Sequence, residues 1–261
     1  MKKKTHHPVL DIVGASRFHC IGDLQHTGNL GSDQWLIGSV IDDIIEHGPF
    51  QGGNKESRKD RVWGLIKDEY AKQGTSNRLG NLTLGMIKGA TEQFPCLGAK
   101  AAETMHLVPV ITEVCRTIHD GSDHDEHRLR CLEHLANFYR IIKAAGIMLS
   151  DQEAIDVKEA IDWHLLHYNW LNQWAVSNNF RLYVIQFKHH NLWHIADHAK
   201  FLNPRFIWCY PFEDFVGILI ISARNCMAGS HMRIVGRKVI ENSVLVDELT
   251  VRHEIASNCE G

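Results

Sequence analysis

The chain has 261 residues, 44% of them apolar and 23% charged, and a net charge of −3 when histidine is neutral. This is the composition of an ordinary globular protein, and so small a net charge creates no overall field that favours nucleic acid. The seven cysteines are scattered without a C-x-x-C pair, which argues against a disulfide framework or a thiolate zinc module and favours a reducing compartment, nuclear or cytoplasmic. No apolar run reaches the length of a membrane span, so no membrane partner is expected.

The first predicted elements are short and of β type. Brief apolar runs at 8–14 and 17–22 are broken by glycine, so residues 8–31 are predicted to form a small β region in which Asp23 ends a strand. A helix is predicted to follow, with Ser32 or Asp33 as its N-cap.

The rest of the chain is predicted to be mostly helical. Residues 48–55 form a loop, and from Glu56 onward apolar residues recur at helical spacing almost throughout. Residues 180–187 are aromatic and β-branched and fit either a strand or the start of the next helix. The main helical stretches are 99–118, 128–145, 151–175 with Ser150 as its N-cap, 188–202, and 213–225 after Pro211.

Asp23 and His26 form the first candidate site. A carboxylate at a strand end, with an imidazole just beyond it, suits a divalent metal and the groups around it. The alternative is a turn aspartate that caps the next segment, which is a common role for this residue type.

Glu213 is the second candidate, because it lies in an aromatic and apolar frame, residues 208–217. A carboxylate among large apolar side chains is costly unless its charge is used, so Glu213 is a candidate metal ligand. Asp214 is the other possible ligand, since successive helical residues point about 100° apart and both are not expected to face one site. The alternative is a first-turn glutamate stabilised by the helix dipole.

A histidine cluster is the third candidate. His190, His194 and His198 fall on one helical face, and two histidines at this spacing can chelate zinc. The zincin pattern, however, needs a glutamate directly after the first histidine, and Asn191 stands there. Zinc is therefore not expected, and packing or hydrogen bonding is the favoured role. Further ligands could come from Asp197, His164 and His167.

A basic segment near the carboxyl end carries Arg233, Arg237 and Lys238. These side chains could contact DNA phosphates. A solvated surface is the alternative for each of them.

Three segments together resemble CACTA-type (En/Spm-like) eukaryotic transposases. Residues 23–40 resemble the D-x-M-H … N-x-I-G-T-L region of those proteins. Residues 188–194 match their K-x-H-x-L-x-H motif, and residues 208–217 resemble W-M-Y-P-F-E-R-Y-M-G. The order and rough separation also agree, although Gln25 and Asp214 replace the family's Met and Arg.

This resemblance implies an RNase H-like fold interrupted by a large helical insertion. In such transposases three carboxylates, D, D and E, hold two divalent ions that act in DNA hydrolysis and strand transfer. By motif match Asp23 is the second aspartate, His26 the associated histidine and Glu213 the final glutamate. The resemblance thus implies Mg²⁺ or Mn²⁺ as cofactor and DNA as partner.

The fold class expected is mainly α with a small α/β part. The partial RNase H-like core should comprise residues 1–47, the helical insertion 48–187, the returning core helices 188–240 and a polar tail 241–261. Asp11 is the only acidic residue before Asp23. The first catalytic aspartate is therefore expected to be absent, and the chain to be truncated and inactive alone.

Two alternatives remain open from the sequence. One is a non-catalytic helical domain, derived from a mobile element, that binds DNA or protein. The other is a metal-binding hydrolase that uses the face formed by His190, His194 and His198. It requires three ligand atoms to meet near His190.

Overall fold

The structure is a computed structural model that describes residues 22–50, 52–87, 94–227 and 233–241, apart from the side chains of residues 211–214. It is mainly helical. Two compact units divide the chain, Met1–Trp208 and Cys209–Gly261. The first unit contains a π-helix Gln25–Ser32, α1 Asp33–His47, α2 Lys55–Gln73, α3 Ala101–Thr117, α4 Asp123–Ala144, α5 Asp151–Ser177, α6 Phe187–His198 and a 3₁₀ turn Pro204–Phe206. The second unit contains α7 Tyr210–Met227 and a helical stretch at 233–241.

Helices α4 and α5 make the most extensive helix–helix contact in the described part of the first unit. Helix α3 packs on α4, and α1 lies against both α2 and α3. The side chains at these contacts are large, apolar and buried, including Ile41, Phe138 and Ile161. Each such burial contributes roughly 1.5–3 kcal/mol of transfer free energy, so the core stabilises the fold more than any single polar contact.

Local sequence signals explain where several helices begin and end. The Ser150 hydroxyl accepts the backbone N–H of Glu153, and the Glu153 carboxylate accepts the backbone N–H of Ser150, so a capping box begins α5 as predicted. The side chain of Asn54 accepts the Ser57 N–H at the start of α2. Gly74 ends that helix in the left-handed region, with φ of +62°, where glycine is favoured.

The helical predictions are confirmed for the segments that became α3, α4, α5, α6 and α7, with ends that shift by a few residues. Residues 74–100, by contrast, contain no helix in their described part, although helix was predicted almost throughout. This segment is rich in Gly, Asn, Ser and Thr, which favour turns. An antiparallel bridge joins Ile87 to Leu97 near its end.

The β region predicted at 8–31 is wrong over its described part, because residues from Leu24 onward are helical. The two apolar runs within it lie outside the described residues. Ser32 occupies the predicted N-cap position of α1, but its side chain makes no capping hydrogen bond and its own backbone is helical. The backbone leaves helical geometry just before it, at Leu30 and Gly31. No strand occurs in the described ranges, so an RNase H-like sheet is not seen there.

Residues 180–187 form neither a strand nor, before Phe187, a helix. Tyr183 has φ of +53°. Its N–H donates to the Ser39 hydroxyl, and its own hydroxyl donates to Asp43. Side chains of α1 therefore supply hydrogen bonds to this segment in place of a neighbouring strand. In the described part of the chain, no helix combines the length and apolar character needed to cross a membrane.

Candidate functional site

Asp23 caps the helix that follows it. Its two carboxylate oxygens accept the backbone N–H groups of Gln25 at 3.1 Å and His26 at 2.9 Å. Its carbonyl oxygen accepts the N–H of Thr27, which opens the helical hydrogen-bond pattern. These are the contacts of an N-cap, so the capping alternative describes the local role of Asp23.

His26 turns its ring back towards the same carboxylate. Its Nδ1 forms a short hydrogen bond with Oδ2 of Asp23. A carboxylate that holds one ring nitrogen fixes the orientation of the imidazole and therefore the direction of its Nε2. The His26 side chain is about half exposed, whereas that of Asp23 is mostly buried. The Asp23–His26 pairing expected from the sequence is therefore present as a contact.

The π-helix that follows Asp23 packs against α6, the helix of the K-x-H-x-L-x-H motif. Lys188 donates from Nζ to the Leu30 carbonyl oxygen at 2.8 Å, across 158 residues of sequence. Gly31 permits this approach, because a Cβ there would lie 2.5 Å from the Lys188 side chain. Two of the three segments that carry the family resemblance thus lie side by side.

His190 and His194 are exposed on α6, and their Nε2 atoms are 3.0 Å apart. Of the two roles expected for these residues, core packing does not apply because both side chains are exposed, but hydrogen bonding is confirmed by this contact. His198 instead uses its Nδ1 to bond the His194 carbonyl oxygen at 2.7 Å. Among the described residues no third His, Cys, Asp or Glu atom joins this pair to form a group of three close ligands.

The two other histidines considered as ligands belong to the contact between α4 and α5. His164 is buried and bonds the Cys131 carbonyl oxygen through Nδ1, and burial lowers its pKa to about 4. His167 has its Nδ1 2.9 Å from Nδ1 of His127. Burial first, and then the neighbouring His127, lower the pKa of His167 to about 4. Both side chains are therefore neutral near pH 7 and belong to the helix contact.

Glu213 and Asp214 lie in the first turn of α7, as predicted, but their side chains lie outside the described part. The basic residues proposed for DNA contact lie in the helical stretch 233–241. Arg233 and Arg237 are exposed and Lys238 is half-buried. Arg237 pairs with Glu241 at 3.3 Å on this surface.

A buried charged cluster around Asp43 was missed from the sequence. Asp43 is fully buried and accepts Arg128 at 2.8 Å and the Tyr183 hydroxyl at 3.1 Å. His47 lies 3.2 Å from its other oxygen, and His124 lies 3.3 Å away. Burial by itself would raise the pKa of Asp43, but the hydrogen bond from His47 and the charge of Arg128 outweigh it and lower the pKa.

The Asp43 cluster lines a cavity of about 500 Å³ that includes Trp174. Perturbed titratable groups in a cavity often mark functional sites, although structural ion networks produce the same signature. One sequence signal was present: Asp43 follows Leu36 by seven residues and so shares the apolar face of α1. A charge on that face predicts a buried partner.

A second buried carboxylate, Asp33, lies where the π-helix meets α1. Its oxygens accept the hydroxyls of Tyr139 and Ser32 and the amide of Asn29. Burial raises the pKa of Asp33, and these hydrogen bonds only partly offset it. Asp33 therefore joins the π-helix to α4 and was predicted only as a cap.

No protein-family model, curated protein or solved structure matches this chain. The resemblance to CACTA-type transposases thus depends on the motif residues alone. Asp23, His26, Lys188 and His190 have described side chains, and all four lie on the π-helix with its cap or on α6.

Proposed function

We propose that this chain is a transposase-like protein whose ancestral activity is metal-dependent cleavage and transfer of DNA strands. The observation that supports it is the contact between the Asp23 helix and the helix of the K-x-H-x-L-x-H motif, made by Lys188 and Leu30. Neither motif needs the other in order to form its own helix. Their contact is what a shared site would need, and it adds a spatial relation to their order in the sequence.

The chemistry of Asp23 fits a hard divalent ion. Oδ1 of Asp23 accepts the Gln25 N–H, and Oδ2 accepts the His26 N–H and bonds the His26 ring. The cap and the His26 ring therefore hold the carboxylate in one orientation, as a metal ligand requires. Mg²⁺ or Mn²⁺, when bound, would activate water and stabilise the leaving oxygen of a phosphodiester. In this proposal Asp23 binds the ion, His26 fixes and hydrogen-bonds the Asp23 carboxylate, and Glu213 takes the role of the family's final glutamate by motif match.

The test measures whether a divalent ion couples DNA binding to Asp23. Binding of a labelled DNA duplex is followed by fluorescence anisotropy with and without Mn²⁺, for the unaltered chain and for Asp23→Asn and Glu213→Gln. We expect Mn²⁺ to strengthen binding about tenfold, which corresponds to about 1.4 kcal/mol, and each variant to lose that gain. Nicking of supercoiled plasmid is scored in parallel and must disappear in both variants wherever it occurs.

Asp68→Asn is the matched control, because Asp68 is an exposed carboxylate on α2, away from the motif helices. It should keep the Mn²⁺ effect. A Mn²⁺ effect that persists in Asp23→Asn would contradict the proposal, and so would the absence of any DNA binding.

A second candidate is a non-catalytic helical domain that binds DNA. The capping role of Asp23 favours it, because a structural reason to keep this aspartate exists without any metal. Tight DNA binding that is indifferent to Mn²⁺ and to Asp23→Asn, but weakened by Arg233→Ala, would support this candidate over the first.

A further inference from the structure

Helix α6 presents two histidines from a firmly held scaffold. Leu192, Ile195 and Ala196 bury the inner face of the helix. At its start, Nδ1 of His189 accepts the Gln186 N–H at 3.0 Å. The outer face is therefore held in place, and side chains one turn apart on it keep a nearly constant separation.

His190 and His194 occupy that outer face with their Nε2 atoms 3.0 Å apart. Two nitrogens bound to one tetrahedral ion at about 2.0–2.1 Å lie about 3.3–3.4 Å from each other. A small rotation of either ring closes the difference. Both side chains are exposed, so an ion can reach them without opening the core.

We propose that His190 and His194 together bind one first-row transition ion of the class that imidazole prefers, such as zinc or nickel. Imidazole nitrogen suits these ions, whereas Mg²⁺ prefers oxygen ligands. The site is thus chemically distinct from the carboxylates of the proposed function. Asn191 in place of glutamate removes the general base of zincin-type hydrolysis, but ion binding needs only the two imidazoles.

Two protein ligands leave coordination positions open to water or to a group from another molecule. His198 does not supply a third ligand from Nδ1, which is bonded to the His194 carbonyl oxygen. His190 also lines a cavity of about 440 Å³ between α5 and α6, together with Trp193 and Tyr168. This volume is within the range of small-molecule sites, roughly 300–1,000 Å³. A molecule in the cavity could therefore reach an ion held by His190.

The test uses the full chain, prepared without an affinity tag and freed of metal. Titration calorimetry with Zn²⁺, Ni²⁺ and Mg²⁺ is compared for the unaltered chain, His190→Ala, His194→Ala and the control His198→Ala. One Zn²⁺ or Ni²⁺ site should weaken at least tenfold in the first two variants and change less than twofold in the control. Mg²⁺ should not bind at this site.

Circular dichroism shows whether each variant is folded, and exposed positions are expected to tolerate alanine. A folded His190→Ala that binds Zn²⁺ and Ni²⁺ as tightly as the unaltered chain overturns the proposal, as does a tenfold loss in His198→Ala. Asp23→Asn should still bind Zn²⁺ and Ni²⁺ at His190 and His194. Failure of this histidine site and failure of the proposed nuclease function therefore give different results.

Discussion

At the scale of single residues, Asp23 caps a helix, and this capping role is compatible with the metal-ligand role that we propose for it. Its carboxylate accepts the N–H groups of Gln25 and His26, which stabilises the start of the π-helix. The same contacts hold the carboxylate in one orientation, which a metal ligand also requires. Capping therefore does not exclude a catalytic role. The two roles can be distinguished only by substitutions that remove the charge of Asp23 but keep its capping hydrogen bonds.

Asp23→Ala should lower the free energy of unfolding by about 1 kcal/mol, the usual cost of losing an N-cap. Asp23→Asn should lower it much less, since asparagine is as good an N-cap as aspartate. Urea denaturation followed by circular dichroism measures both. Equal stability of the alanine variant and the unaltered chain would show that the cap does not stabilise the fold.

At the scale of elements, α1 approaches a loop so closely that one position has no room for a side chain. A Cβ on Gly38 would lie 2.7 Å from backbone atoms of Cys96 and Leu97. The Leu97 N–H donates to the Gln34 carbonyl oxygen at 2.9 Å, which keeps the loop against the helix. Gly64 on α2 is a matched contrast, with no neighbouring atom within 4 Å of a Cβ placed there.

Gly38→Ala should destabilise the protein by roughly 1–3 kcal/mol, because overpacking outweighs the better helix propensity of alanine. Gly64→Ala should stabilise it by roughly 0.5–1 kcal/mol, because only the propensity changes. Shifts of the urea midpoint at constant slope measure both effects. A stabilising Gly38→Ala would mean that the loop readily moves away from α1.

At the scale of the molecule, Asp43 joins three parts of the first unit: α1, α4 through Arg128 and the segment of Tyr183. Its lowered pKa means that the folded state favours the ionised form. Its contribution to stability is therefore present above the ordinary pKa of 3.8 and is lost as the pH falls below that value towards the lower folded pKa. Asp33 has a raised pKa, so the folded state favours its protonated form, and its ionisation at higher pH lowers the stability of the fold.

Asp43→Asn should lower the free energy of unfolding by roughly 3 kcal/mol at pH 7. This is the low end for a broken buried ion pair, because Asp125 still pairs with Arg128. The difference in the free energy of unfolding between this variant and the unaltered chain should become smaller as the pH falls below 3.8. Chemical denaturation at several pH values measures it. Asp33→Asn is the control, and its stability relative to the unaltered chain should instead improve as the pH rises from 3.8. A pH-independent cost of Asp43→Asn would contradict the ionised state of Asp43.

The sequence alone determined most of the helices and the cap at Ser150, because apolar spacing and capping residues act within a few residues of each other. It also identified Asp23 with His26 and the motif on α6. The tertiary structure decided that Lys188 contacts Leu30, that Asp43 is buried against Arg128, and that His190 and His194 face outward. Helical periodicity says which residues share a face, but only packing between distant segments decides what each face meets.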